Sequence, residues 1–96
     1  MPKHSVIWTN EAFDDLLLIE DFIGFNKAQK TIDKIIARVR QLEDFPLSGR
    51  IQPTQTKQEY RFLVEGNYKI IYSYRTGKVY INTIFDTRQD PDKLKV

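Results

Sequence analysis

The pattern of apolar and polar positions divides the chain into one short strand, two helices and three further strands. Residues 5–8 predict the first strand. Residues 60–88 contain three runs rich in Val, Ile, Tyr and Phe, which are interrupted by Glu65-Gly66-Asn67 and by Thr76-Gly77. Since glycine tolerates the positive φ that tight hairpin turns require, these runs predict an antiparallel three-strand meander.

Two helices are predicted between the first strand and the meander. Thr9 or Asn10 offers a capping oxygen before a helical pattern that ends at Gly24. The second helix is predicted over about residues 27–44, because proline at position 46 disfavours a helical conformation in the residue before it. Its apolar residues recur at alternating spacings of four and three: Ala28, Ile32, Ile35, Val39 and Leu42.

The order of these elements predicts a two-layer α+β domain, in which a helical hairpin packs on the antiparallel meander. Residues 47–58 are polar and lack periodicity, so they are predicted to be a loop, and the tail from residue 89 is predicted to form one frayed turn. A chain of 96 residues that is 41% hydrophobic fits one domain over residues 1–96, with a single core and little room for a deep pocket.

Composition narrows the chemistry. The chain has no cysteine, which excludes disulfides and thiolate ligands or nucleophiles. It has none of the common nucleotide-binding, zinc-protease or serine-hydrolase motifs, so no cofactor or metal is expected. The single histidine, His4, is expected to be an exposed residue near the N-terminus. No apolar run approaches the roughly 20 residues of a membrane span, which favours a cytoplasmic protein.

Charge is distributed unevenly. The first 25 residues hold one lysine and five acidic residues, so the excess of cations that gives the net charge of +2 lies in the rest of the chain. This asymmetry predicts a basic working surface with an acidic helix at one end.

Two sets of cations are candidates for that surface. Lys27, Lys30, Lys34 and Arg38 follow one stripe of the second helix, which is either a solvated face or a docking surface for an acidic partner. The meander is expected to present its cations on one polar face, where they bind a target. Three of them, Arg61, Lys69 and Arg88, are expected to converge on a single patch. The alternative is that these cations are edge-strand charges that discourage aggregation. The four meander cations are Arg61, Lys69, Arg75 and Arg88.

Five segments, in order and spacing, resemble the RelE/ParE toxin superfamily of bacterial type II toxin–antitoxin systems. Four of them are VIWTNEAFDDLLLIEDFI, LEDFPLSGR, YRFLVEGNYKIIYSY and VYINTIFDTRQDP, and the fifth is the predicted second helix, which ends in LEDFPLSGR. Together they extend from Val6 to Pro91. The resemblance implies a helical hairpin on a small antiparallel sheet. It also implies a toxin, of the kind that stabilises plasmids, held inactive in a hetero-oligomer by a small, acidic, partly disordered antitoxin. The residues assigned to the antitoxin are Lys30, Lys34, Arg38 and Phe85.

The superfamily has two branches with different targets. RelE-like members are ribosome-dependent endoribonucleases that cut mRNA, and by resemblance Lys69 and Arg88, with Arg61, would hold the phosphate. Such members add a tyrosine or histidine near the end of the chain, whereas no Tyr or His follows Arg88 here and Asp86 stands where a histidine would be expected.

The segment TIFDTRQ instead resembles the ParE-like branch, whose members poison DNA gyrase and are not nucleases. Gyrase inhibition is therefore the favoured interpretation. The alternatives are mRNA cleavage, in which case the protein is an enzyme, and an inactive binding module that shares the fold.

Overall fold

Five strands and two helices form two layers in the computed structural model, which describes residues 3–94 and, at Phe22, the backbone alone. This arrangement confirms the predicted α+β fold, with a helical hairpin on one side of the sheet. In chain order the elements are β1 (Ser5–Trp8), α1 (Asn10–Ile23), α2 (Phe25–Asp44), β2 (Arg50–Gln52), β3 (Tyr60–Glu65), β4 (Tyr68–Arg75), β5 (Lys78–Asp86) and a 3₁₀ turn (Pro91–Lys93).

The sheet is wider than the predicted meander. Its strand order is β1-β5-β4-β3-β2, so the meander forms its centre and one additional strand lies at each edge. β1 runs parallel to β5, with Ser5 opposite Lys78. The prediction of a loop over residues 47–58 is wrong for β2, where Ile51 pairs with Arg61 in antiparallel register. Three residues are too few to show a period, and their conformation is set by the pairing with β3.

Both predicted hairpin turns are present, and each has a glycine at a positive φ. Gly66 has a φ of 58° between β3 and β4. Thr76 and Gly77 have φ values of 51° and 76°, which is the pattern of a type I′ turn between β4 and β5.

The ends of the helices follow the predicted local signals. The Thr9 hydroxyl accepts a hydrogen bond from the Ala12 N–H at 3.2 Å and donates one to the Ile81 carbonyl at 2.7 Å, which fixes the start of α1 against β5. Gly24, with a φ of 85°, ends α1. α2 begins at the next residue, two positions before its predicted start, so one glycine joins the two helices.

One apolar core lies between the helices and the sheet. Its α2 residues include the four buried positions of the predicted stripe, which are Ala28, Ile35, Val39 and Leu42. The sheet contributes Leu63, Tyr68, Ile70, Tyr72, Val79, Ile81 and Ile84. Within residues 3–94, neither helix is long and apolar enough to cross a membrane.

The prediction that His4 is exposed is wrong. Its ring is half-buried and lies edge-on to the Tyr74 ring, with centroids 5.3 Å apart. Its backbone N–H donates to the Glu43 carbonyl at 2.8 Å, because β1 enters the sheet alongside the end of α2.

Candidate binding face

The two sides of the sheet differ in what covers them. Tyr72 packs in the core beneath the helices, and alternation along β4 turns Lys69 and Arg75 to the opposite side. Cross-strand partners share a side, so the register extends this assignment to the other strands. We call this side the open face, and its residues on β2 to β5 are Arg50, Gln52, Tyr60, Phe62, Val64, Lys69, Ile71, Ser73, Arg75, Lys78, Tyr80, Asn82, Thr83 and Phe85.

A β-bulge on β5 shapes this face. Ile71 pairs with Thr83 and Tyr72 pairs with Ile81, so Asn82 is the additional residue. The Asn82 side-chain amide donates to the Ser73 hydroxyl at 3.4 Å, which places both on the open face.

The open face is basic. Four of its residues are cations: Arg50, Lys69, Arg75 and Lys78. The described strands contribute no carboxylate to it, because Glu65 and Asp86 both pair with Tyr68 on the helix side. Arg75 and Lys78 stand directly opposite each other, and like charges in such pairs are destabilising. An anionic partner would offset the repulsion between these cations, so the open face is suited to such a partner.

Two of the cations lie over aromatic rings. Lys69 Nζ is 4.1 Å from the centroid of the Phe62 ring, and Arg75 Cζ is 4.6 Å from the centroid of the Tyr80 ring. Such contacts stabilise a cation by about 0.5–1 kcal/mol at exposed sites and restrict its position. The stacked guanidinium of Arg75 keeps its edge N–H groups for a phosphate or carboxylate.

Arg61 does not belong to this face, so the predicted convergence of Arg61, Lys69 and Arg88 is wrong. Arg61 pairs with Tyr72 and therefore lies on the helix side. Its Nη1 donates to the carbonyls of Gly49 at 2.9 Å and Leu47 at 3.3 Å, which anchors the loop between α2 and β2. Lys69 pairs with Val64, which lies three positions after Arg61 on β3. Side chains an odd number of positions apart on one strand lie on opposite sides of the sheet, so Arg61 and Lys69 cannot share a side.

Arg88 lies just beyond β5 and is held by a neighbour. Its Nε and Nη2 donate to the two carboxylate oxygens of Asp86 at 3.0 and 2.8 Å. These hydrogen bonds lower the pKa of Asp86, and they outweigh the opposing effect of its partial burial. Arg88 is at the same end of the sheet as Lys69, which is one residue from the Tyr68–Asp86 pair. Arg75 lies six residues further along β4, roughly 20 Å away.

The residues assigned to the antitoxin lie on both layers. Lys30 and Lys34 are exposed on α2, and Arg38 is half-buried with its Nε 4.0 Å from a Glu65 carboxylate oxygen. Phe85 pairs with Lys69 on the open face. A single partner that touches all four must pass around an edge of the sheet.

Sequence reasoning missed two cations of the open face. Lys78 could have been found, because it faces Arg75 across a two-residue hairpin turn. Arg50 could not, because its strand was not recognised.

Comparison with known proteins places this geometry in a family. The profile described as "ParE toxin of type II toxin-antitoxin system, parDE" matches residues 6–91. The chain is also similar to a solved structure of the chromosomal ParDE toxin–antitoxin system from P. aeruginosa, at 25% identity and a TM-score of 0.69, over 85% of this chain and 94% of that one. The sequence has no significant match among functionally curated proteins.

Two more distant structures share the fold. The YoeB dimer from Staphylococcus aureus has 11% identity and a TM-score of 0.57, over 85% of this chain and 94% of that one. The YoeB/ParE toxin from Agrobacterium tumefaciens has 14% identity and a TM-score of 0.56, over 83% of this chain and 94% of that one. Because the family profile covers nearly the whole chain, the protein belongs to the ParE toxin family of type II toxin–antitoxin systems.

Proposed function

We propose that this protein is the toxin of a plasmid-stabilising or chromosomal ParDE-type pair, that it acts in the cytoplasm, and that it inhibits DNA gyrase when its antitoxin is removed. The observation that carries the proposal is the open face, to which strands β2 to β5 contribute four cations, with an aromatic ring beneath two of them, and no carboxylate. A broad basic face of this kind suits a large anionic assembly, such as gyrase with its bound DNA.

The chemistry near Arg88 supports gyrase over mRNA as the target. A general acid or base works best when its pKa lies near the operating pH. At the position where RNA-cleaving relatives are expected to carry a histidine, this chain has Asp86, whose pKa is lowered by the Arg88 guanidinium. The carboxylate is therefore ionised at neutral pH and held in a two-point contact, which suits a structural role better than proton transfer.

A supercoiling assay tests the proposal directly. Purified protein, freed of antitoxin, is added to gyrase, ATP and relaxed plasmid, and in parallel to a translating extract. We expect loss of supercoiling and accumulation of gyrase–DNA cleavage complexes, with translation unaffected. Normal supercoiling at a large molar excess of toxin would overturn the proposal.

Matched variants connect the inhibition to the open face. Lys69→Ala and Arg75→Ala each remove one cation that lies over a ring, and we expect each to weaken inhibition about tenfold or more, the equivalent of one charge-assisted hydrogen bond. Lys57→Ala removes an exposed lysine from the loop before β3 and serves as the control. Equal loss in all three would mean that total charge, rather than this face, determines activity.

mRNA cleavage remains the second candidate because of one specific observation. Lys69 over Phe62 and Arg75 over Tyr80 combine a cation with an aromatic ring, and such pairs bind single strands through phosphate contact and base stacking. If the translating extract stops and yields cut mRNA while gyrase is unaffected, this candidate replaces the first.

The antitoxin is the expected partner. We propose that an acidic antitoxin segment binds the exposed lysines of α2 and reaches Phe85 on the open face. Co-purification with the product of the adjacent reading frame tests this, and reversal of Lys30 and Lys34 to glutamate should weaken the complex. An unchanged affinity would exclude the α2 stripe from the interface.

A further inference from the structure

The two helices carry opposite charges on the layer that covers the other side of the sheet. α1 has five carboxylates and no cation, whereas α2 has five cations and three carboxylates. The three ion pairs within residues 3–94 involve neither a carboxylate of α1 nor a lysine of α2. The exposed carboxylates of α1 and the lysines of α2 are therefore available to a partner.

These charges lie on the outward side of the helical layer. α1 packs its buried residues on the core and presents Asp14, Leu17 and Asp21, at spacings of three and four, on the side away from it. α2 presents Lys27 and Lys34 on its own outward side. Leu17 is 50% exposed, so the acidic stripe of α1 also has an apolar centre.

The acidic and basic positions lie at matching levels along the hairpin. A single residue, Gly24, joins the helices, so positions equally far from it lie side by side. Asp14 and Lys34 are each ten residues from Gly24, and Asp21 and Lys27 are each three residues from it. Packed helices are about 8–10 Å apart, so outward side chains at one level do not meet within one copy.

We propose that two copies of this chain associate through their helical layers. A two-fold axis that runs parallel to the helices, between the two layers, places α1 of each copy on α2 of the other. Asp14 then lies opposite Lys34 of the second copy and Asp21 opposite its Lys27, with Leu17 between the two pairs. The symmetry forms each of these contacts twice. The open faces lie on the far sides of the two sheets, so both stay accessible in the dimer.

A second copy fits this surface better than a partner of one charge. An acidic segment pairs with the lysines of α2 but is repelled by α1, and a basic partner meets the reverse. Two parallel stripes of opposite sign are complementary to themselves under a two-fold rotation. The antitoxin contacts proposed above use the lysines of α2, so a bound antitoxin and a second copy would exclude each other.

The available area fits a reversible dimer. α1 has 14 residues and α2 has 20. Helices of these lengths, roughly 20–30 Å long and about 10 Å wide, together cover about 400–600 Å² on each copy. A total of about 1,000 Å² is at the lower end of specific interfaces, so we expect a dissociation constant on the order of micromolar.

Sedimentation velocity tests the association with the full-length protein, freed of antitoxin, over about 1–200 µM. We expect a monomer–dimer equilibrium in which the dissociation constant rises about tenfold or more from low to high salt, because the interface contains exposed ion pairs. A protein that stays monomeric over this range would overturn the proposal.

Two charge-reversal variants identify the surface. Asp14→Lys with Asp21→Lys makes the α1 stripe basic, and Lys27→Glu with Lys34→Glu makes the α2 stripe acidic. Each variant alone then brings like charges together, so we expect it to be monomeric where the parent is dimeric. An equimolar mixture has opposite charges at both α1–α2 contacts and should form a heterodimer about as stable as the parent dimer. A mixture that stays monomeric would contradict the proposed pairing, even if the parent dimerises.

Controls separate this surface from total charge. Lys57→Glu with Lys78→Glu alters the net charge as much as the α2 variant, at exposed positions outside the helical layer, and should dimerise like the parent. Equal loss of association in this control would assign the effect to net charge. Leu17→Ala keeps every charge and should raise the dissociation constant about tenfold or more, because its apolar contact forms twice. An unchanged constant would exclude the α1 stripe from the interface.

The outcome is independent of the gyrase assay. If the charge-reversal mixture forms the heterodimer but the protein leaves gyrase unaffected, the interface is retained and the proposed target is wrong. If gyrase is inhibited by a protein that stays monomeric, the proposed target is retained and the interface is wrong.

Discussion

Substitution of Gly49 by alanine should destabilise the fold, because this residue joins the loop after α2 to the centre of the sheet. The Gly49 N–H donates to the Tyr72 hydroxyl at 2.9 Å, and its carbonyl accepts from Arg61 Nη1 at 2.9 Å. Gly49 is buried, and Tyr72 has an exposed fraction of 0%. Its φ lies outside the positive region, so the requirement for glycine is one of space.

The magnitude follows from the contacts of the added methyl group. A Cβ at position 49 would lie 2.6 Å from the Tyr72 hydroxyl oxygen and 2.8 Å from the Phe62 carbonyl oxygen, and real Cβ atoms do not approach other atoms so closely. Overpacking of this kind costs about 1–3 kcal/mol. Loss of the hydrogen bond to Tyr72 adds about 0.5–1.5 kcal/mol, and the lower entropy of the unfolded alanine chain offsets about 0.4–1 kcal/mol.

We therefore expect Gly49→Ala to lower the free energy of unfolding by about 2 kcal/mol, near the middle of the range of about 0.5–4 kcal/mol that the three contributions span, with a fall in melting temperature of roughly 4–8 °C for each kcal/mol. Urea denaturation followed through the fluorescence of Trp8 measures it. Ser48→Ala, at the exposed neighbouring position, is the control. Tyr72→Phe removes the closest of the clashing atoms, so its cost should be smaller in the Gly49→Ala background than in the parent. A Gly49→Ala protein within about 0.5 kcal/mol of the parent would refute the packing argument.

Three further predictions concern titratable groups. Burial raises the pKa of Asp15, so its charge is unfavourable at pH 7, and Asp15→Asn should raise the free energy of unfolding at that pH. Asp15→Ala should instead lower the free energy of unfolding by about 1 kcal/mol, because it removes the acceptor of the Ile84 N–H at 2.9 Å. Urea denaturation of the two variants compares these effects. Arg88→Ala should weaken gyrase inhibition with almost no change in melting temperature, since its pair with Asp86 is exposed, and a fall in both would make Arg88 structural. Burial raises the pKa of Tyr72 in the folded protein above its ordinary value of 10.0, so the contribution of the neutral phenol to stability is complete below pH 10 and is lost as the pH rises through the pKa of the folded protein. Tyr72→Phe should therefore make the free energy of unfolding depend less on pH above about pH 10. Denaturation at alkaline pH measures this change.

Much of the fold could be predicted because its signals are local. The Thr9 hydroxyl reaches an N–H three residues away, and Gly66 and Gly77 determine turns of two residues. The edge strands carry no comparable signal. β2 is three residues long and is formed by pairing with β3, and the parallel partner of β1 is about 70 residues away in sequence.

The candidate site was predicted less completely, because the type of residue at a position does not determine on which side of the sheet its side chain lies. Arg61 and Lys69 are both cations within predicted strands, but Arg61 pairs with Tyr72 and therefore lies on the side of the sheet opposite to Lys69. The bulge at Asn82 shifts the alternation of β5, so that Ile84 and not Thr83 returns to the core after Ile81. No count of alternating positions reveals such a shift.

The placement of the proposed antitoxin contacts on two layers gives a length scale for a neutralising segment. Lys34 is exposed on the helical layer and Phe85 lies on the open face, while the Cα trace measures 21 Å along its shortest axis. An extended chain advances about 3.3 Å per residue, so a connection of roughly seven residues spans the full thickness of the domain. Antitoxin fragments in which this connection is shortened should engage one layer only, and their affinity should fall by about 100-fold or more as the linked second contact is lost. Full affinity of a fragment too short to pass around the edge would place both contacts on one layer and contradict the proposed interface.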